Sequence, residues 1–281
     1  MALTARIPAA VDAAGFVPEL WSKRVLDAVH SELVVVPLVD HSWEPELKYG
    51  DTMNVGVLNT VAATEVTIGT EGVVKDIASG AKRQIIIDQL WEAPVVLDDM
   101  TDLQSQVNLV AKAQRESGYA LAKKIDSTLC DLFQSLDTNK GTDGAAITDD
   151  VLIDCVETLD EADVPDSQRV WIFDPSAKAD MLKIDKFIRV DYVRTAVVPN
   201  GQFGSIYGSS VYTTNNLTAN STGAYGAYLH KEALAIIAQE KNKVDLVRQP
   251  LKHQLTINTT ALWGVLEMRG TFGICVYTRK S

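Results

Sequence analysis

The chain has 281 residues, 46% hydrophobic and 22% charged, a balance that supports one large or two small folded domains and excludes wholesale disorder. Its formal net charge of −11 argues against a protein that wraps nucleic acid with its own charge, although a container need not grip its contents. No run approaches the roughly 18 apolar residues of a membrane span, and the first residues lack the basic cluster and apolar core of a secretory signal, so folding in a cytoplasm is expected.

The first fifty residues read as an arm. Pro8, Gly15 and Pro18 punctuate a small-residue stretch, and Leu20, Trp21, Val25, Leu26 and Val29 then recur at helical spacing. Leu33 to Val39 is a β-like run. An arm with an apolar face and no body of its own has to bury that face elsewhere. After the turn Tyr49-Gly50-Asp51, Met53, Val55 and Val57 alternate with polar or small residues, which predicts a strand. Glu65 to Ile68 is a second β-rich run. The stretch Gly69 to Gly80 is loop-like, and Ile85-Ile86-Ile87 and Pro94 to Leu97 are again extended. Together they predict a long two-stranded β excursion, which needs a partner surface because isolated hairpins are marginal in water.

A helix is predicted from Thr101 to Phe133, with Leu121, Ile125 and Leu129 on its apolar stripe and Asp98, Asp99 and Asp102 at its positive end. Asp137 to Gly144 is rich in turn residues and reads as a domain boundary. Beyond it come a helix over Thr148 to Ala162, a buried-type strand RVWIF (Arg169 to Phe173), and a helix from Asp174-Pro175 to about Ile184. Their alternation suggests a compact α/β unit that continues through Ser205 to Thr213 and closes with Ala233 to Gln239. Val244 to Tyr277 reads as long antiparallel strands.

Motifs that carry chemistry are missing from the sequence. There is no GxxxxGKS/T, HExxH or GxSxG, and Gly201, Gly204 and Gly208 do not have dinucleotide-loop spacing. Cys130, Cys155 and Cys275 form no CxxC pair, and the four histidines, His30, His41, His230 and His253, are dispersed. Asn216, Asn220 and Asn258 begin sequons that read as polar turn or strand residues. Asp98, Asp99 and Asp102 read as helix-start electrostatics in preference to a cation site. No catalytic, cofactor-binding or metal residue is therefore expected. From Asp143 to Asp166 there are nine acidic residues and no lysine or arginine, whereas Lys231 to Ser281 holds eight basic and four acidic residues. Such a separation suits contacts between copies of one chain or with a scaffold.

The order of these pieces resembles the major capsid proteins of tailed bacteriophages with the Hong-Kong-97-type fold. The resemblance covers nearly the whole chain. It is carried by FVPELWSKRVLDAV (Phe16 to Val29), IIIDQLWEAPVVLDDMTDLQSQ (Ile85 to Gln106), ALAKKIDSTL (Ala120 to Leu129), GQFGSIYGSSVYTTNNL (Gly201 to Leu217), HKEALAIIAQEKNKVDLVRQP (His230 to Pro250) and ALWGVLEMRGTFGICVY (Ala261 to Tyr277). It implies an α+β fold with an N-terminal arm (residues 1–50), an extended β loop (51–97), a peripheral domain with a spine helix (98–137), an α/β axial domain (138–240) and return strands of the peripheral domain (241–281).

The implied function is self-assembly into the hexamers and pentamers of an icosahedral phage head, built in the host cytoplasm, enclosing double-stranded DNA without sequence-specific binding. No membrane is involved. The implied partners are other copies, a separate scaffolding protein, a decoration protein and a portal at one vertex. A cellular nanocompartment shell with the same fold is the alternative. Some members join copies through a lysine on the loop and an asparagine on a neighbour, assisted by a buried glutamate. Lys75, Lys82 and Asn258 lie in the corresponding regions, but the lysines sit in a polar tip where they stay protonated, so a non-covalent shell is expected.

Overall fold

The computed structural model describes residues 33–45, 50–58, 61–65, 68–69, 71, 77–100, 108–184 and 204–280. The arm helix expected around Leu20 to Val29 lies outside these residues, as do Lys75 and Asp102. Among the described residues, no helix is long and apolar enough to cross a membrane.

Three sheets organise the chain. Strands β1 (Thr52–Leu58) and β2 (Ala78–Ile86) form an antiparallel hairpin. A three-stranded sheet has the order β3-β10-β9, where β3 is Gln89–Asp98, β9 is Leu234–Gln249 and β10 is Gln254–Glu267. A six-stranded sheet has the order β4-β11-β8-β5-β7-β6. Its strands are β4 (Thr138–Gly141), β5 (Arg169–Phe173), β6 (Ser205–Ile206), β7 (Ser209–Thr213), β8 (Gly223–His230) and β11 (Gly273–Arg279). The helices are α1 (Leu109–Asp131), α2 (Asp149–Glu161) and α3 (Pro175–Met181).

The period-two pattern of the six-stranded sheet explains its burial. On β5 all five residues are buried: Trp171 and Phe173 point to one face, Val170 and Ile172 to the other. On the first face Leu152, Cys155 and Leu159 of α2 and Ala177 and Met181 of α3 pack with Tyr228, Ile274 and Val276. Trp171 stacks on Tyr228 with ring centroids 3.7 Å apart, and its indole N–H donates to the Ile206 carbonyl. On the second face the end of α1 (Leu129, Cys130) and Phe133 pack with Ala227, Leu229 and Cys275. The sheet is thus covered on both sides by its own chain.

Helix α1 crosses the three-stranded sheet. Leu121 meets Ala261 and Trp263, with Ile125, Ala93 and Val265 around them. The Ser117 and Thr259 hydroxyls join the two layers by a buried hydrogen bond of 2.8 Å.

Several sequence expectations are corrected. The predicted helix from Thr101 to Phe133 does not run unbroken: Thr101 to Val107 lie outside the described residues, and the helix starts at Leu109, after Asn108, whose backbone is extended (φ −69°, ψ 92°) and whose side chain accepts the Ala111 N–H. Asparagine competes for the backbone in this way, so it caps a helix instead of continuing it. The resulting 23-residue helix spans about 35 Å. Leu33 to Val39 is not a strand. Pro37 at the start of a 3-10 turn over Val36–Leu38 removes an N–H and sets φ, and only Asp40 bridges to a strand, at Ala235.

The supposed loop Asp137 to Gly144 contains β4, which pairs in parallel with β11. Residues Leu234 to Gln239 belong to β9 and the three-stranded sheet, whereas β11 joins the six-stranded one. Pairing partners far along the chain decided both placements, and local composition carries no record of them. Thr148 occupies the cap position of α2 without a side-chain capping bond, and α3 ends at Met181, short of Ile184. Asp174 caps α3 as expected, accepting the Ser176 N–H at 3.0 Å, with Pro175 in the first turn.

Candidate assembly surface

Among the described residues, the hairpin β1/β2 buries apolar side chains at its base. Ile85 and Ile87 are buried against Ala235 and Ile237, with Met53, Trp43 and Leu266 beside them. Gly264 makes that seat possible, since a Cβ there would overlap the Ile86 carbonyl. Further out, apolar side chains stand in solvent: Val57 is 40% exposed, Leu58 70% and Ile77 54%. Lys82, opposite Gly56 on this hairpin, is also exposed.

A second apolar surface lies on the sheet face turned away from α1. There Leu90, Val96 and Val247 are 66%, 53% and 51% exposed. Both edges of this sheet are blunted against strand addition. Pro94 in β3 lacks an N–H, and β9 carries Lys241 and Lys243 around a register shift where Asn242 takes φ 52°. Such edges disfavour growth of the sheet by strand addition.

Where the arm leaves the body, one carboxylate holds it. Asp126 of α1 is fully buried and accepts the Val35 N–H at 2.7 Å, the Val36 N–H at 3.4 Å and the Asn216 side-chain amide at 2.9 Å. Val35 and Val39 are buried against Leu129 and Phe133. Asp40 exchanges backbone hydrogen bonds with Leu234 and Ile236, and Glu44 pairs with Lys241 and His41. Residues 33–45 are therefore a strap across the junction of α1 and both larger sheets. The sequence reading met Asp126 only through the Hong-Kong-97-type resemblance. A physical signal was present all the same, a lone acid three residues from Leu129 on the buried stripe of a helix.

The residues weighed for chemistry are occupied structurally. Burial pushes the thiols of Cys155 and Cys275 up to about 12 and that of Cys130 well above its usual range, so all three are inert. Asp98 accepts from Gln254 and Asp99 pairs with Arg248 at 2.9 Å. His41 bonds the Val36 carbonyl, and buried His230 accepts the Glu232 N–H, with burial lowering its pKa. His253 fills a left-handed turn at φ 52°. Asn220 caps the turn before β8.

The Asn258 amide donates to Glu92 at 3.0 Å, and its carbonyl oxygen is buried without a hydrogen-bond partner. This asparagine and glutamate meet across β10 and β3, a pairing the sequence reading did not make. Glu92 is exposed, whereas a carboxylate base for amide attack needs burial. Among the described residues no cluster of histidine, cysteine, aspartate and glutamate could hold a metal ion.

The whole arrangement is similar to that of phage capsid chains. A chain from Mycobacterium phage Che8 superposes with a TM-score of 0.80 at 22% identity, covering 93% of this chain and 97% of that one. A chain from the capsid of the cyanophage P-SCSP1u gives 0.74 at 16% identity, covering 94% and 93%. One from the capsid of an empty GTA particle gives 0.70 at 13% identity, covering 98% and 100%. The protein thus has the α+β fold of a phage capsid chain, as the Hong-Kong-97-type resemblance implied. No curated protein matches it in sequence. The model of the phage capsid protein family matches residues 95–248, more than half of the chain, and the chain belongs to that family. It is a structural protein of the phage virion head.

Proposed function

We propose that the chain is the major shell subunit, forming hexamers and pentamers that close around double-stranded DNA, and that it has no catalytic residues. The observation that supports this reading is the hairpin β1/β2, whose outer apolar side chains Leu58 and Ile77 are exposed among the described residues. A monomer would have no use for such an element, while a neighbour in a shell supplies the missing surface. The family match favours the phage head over a cellular nanocompartment.

In this reading the strap 33–45 and the residues before it form the arm and the hairpin is the extended loop. Helix α1 with β3, β9 and β10 forms the peripheral part. Residues 138–230 with β11 form the axial part. A separate scaffolding protein, a portal and a decoration protein complete the proposed partners.

The shell is non-covalent. The described one of the two candidate lysines, Lys82, is exposed. Expression with the phage's scaffold should give closed particles in electron microscopy, and a strictly monomeric product would overturn the proposal. Denatured virions should run as one band near the 30.6 kDa chain mass. A ladder of multiples abolished by Lys75→Ala or Lys82→Ala would reveal a bond-forming site.

A further inference from the structure

Helix α2 carries two apolar stripes where its packing needs one. Leu152, Cys155 and Leu159 face the six-stranded sheet, whereas Ile153 is 41% exposed on the other side. Beside it Tyr207, at the tip of the β6–β7 turn, is 44% exposed. Ile153, Val156 and Tyr207 floor a shallow groove of about 610 Å³ rimmed by Glu157, Asp160 and Glu161. The whole of α2 holds six acidic residues and no lysine or arginine. Lys140 pairs with Asp154 and Arg169 with Asp160. Glu157 and Glu161 stand exposed on the rim.

We propose that this groove receives residues 185–203 of a neighbouring copy. That segment lies outside the described residues, but its sequence has chemistry of the complementary sign: Lys186, Arg189 and Arg194 outnumber Asp185 and Asp191 and are interleaved with Phe187, Ile188 and Tyr192. In sequence it follows Ile184, just after α3, and precedes Gly204, three residues before Tyr207. Groove and segment are different stretches of the chain. Contact between two unlike patches of identical chains is heterologous, and a heterologous contact is what closes a ring. Apolar anchors between basic residues would fill the floor and pair with the rim, giving both affinity and orientation. The inference rests on the capsid reading and adds the contact that orders copies within a capsomer.

The test is a charge swap. Glu157→Lys with Glu161→Lys should lower the yield of rings and shells in sedimentation velocity by about tenfold, equivalent to roughly 1.4 kcal/mol, with the subunit's melting temperature unchanged. Arg189→Glu with Arg194→Glu should do the same, and all four substitutions together should restore assembly. Glu157→Gln with Glu161→Gln, which leaves no reversed charge to perturb folding, should give a smaller loss of the same sign. One-sided variants that assemble like the parent would overturn the proposal, as would a combined variant that stays unassembled. A one-sided variant that keeps assembly but melts lower would place the segment in its own chain's groove, and that too overturns it. Failure of the parent chain to form particles would instead sink the capsid reading itself.

Discussion

The six-stranded sheet and the hairpin β1/β2 solve the burial problem in opposite ways. The sheet is closed by α2 and α3 on one face and by α1 and the strap on the other, so Trp171, Phe173, Ile172 and Leu229 lose all contact with water within one chain. The hairpin buries Ile85 and Ile87 at its base and then carries Val57, Leu58 and Ile77 into solvent. One region is a self-sufficient core and the other, in the proposed shell, is half of an interface. Folding and assembly are thereby assigned to different residues, and substitutions should separate them.

The largest effect is expected in the closed region. Trp171→Ala removes a fully buried ring stacked on Tyr228 and Phe173 and should destabilise the subunit by roughly 3–5 kcal/mol in denaturant unfolding. An unchanged midpoint would mean that this sheet is not the core.

At the junction, Asp126→Ala removes the acceptor of the buried Val35 N–H and one hydrogen bond of the Asn216 amide, an expected loss of roughly 3 kcal/mol. Faster amide exchange at Val35 and Val36 would show that the strap is released first. Uniform loss across the molecule would count against a latch.

A smaller, pH-dependent effect is expected at the end of β11. Hydrogen bonds from Arg279, at 2.5 and 2.9 Å, hold the Asp180 carboxyl below its ordinary 3.8, outweighing the opposing effect of burial, and Lys183 adds to them. Because the folded value is depressed, this stabilisation is complete above the ordinary value and is lost as pH falls through the folded one. Acid unfolding should therefore steepen below about pH 4 and lose part of that slope in Asp180→Asn. Identical acid titrations of stability would remove the ion pair from the account.

The smallest effect on the subunit belongs to the open region. Leu58→Glu should change subunit stability by no more than about 0.5 kcal/mol, because Leu58 is 70% exposed, yet it should reduce particle yield. If it unfolds the subunit or leaves particles unaffected, the contrast between the two regions fails.

Much of this was legible from the chain alone, where the information is local. The helical stripe through Leu121, Ile125 and Leu129, the buried strand Arg169 to Phe173, the Asp174-Pro175 cap and the strand over Met53 to Val57 follow from periodicity and capping chemistry within a few residues, whereas Pro94 to Leu97, read as part of the same excursion, belong to β3 of the three-stranded sheet. The order of the elements pointed to a shell protein through its resemblance to the major capsid proteins of tailed phages. The tertiary structure alone decided what depends on distant partners. It set β4 beside β11, divided β9 from the six-stranded sheet, turned Leu33 to Val39 into a strap, and brought Asp126 to Val35 and Asn216 across about ninety residues of chain. Strand pairing and the choice of a donor for a buried carboxylate are long-range events. Their energy is gained only when the chain closes on itself, and no window of sequence contains both halves.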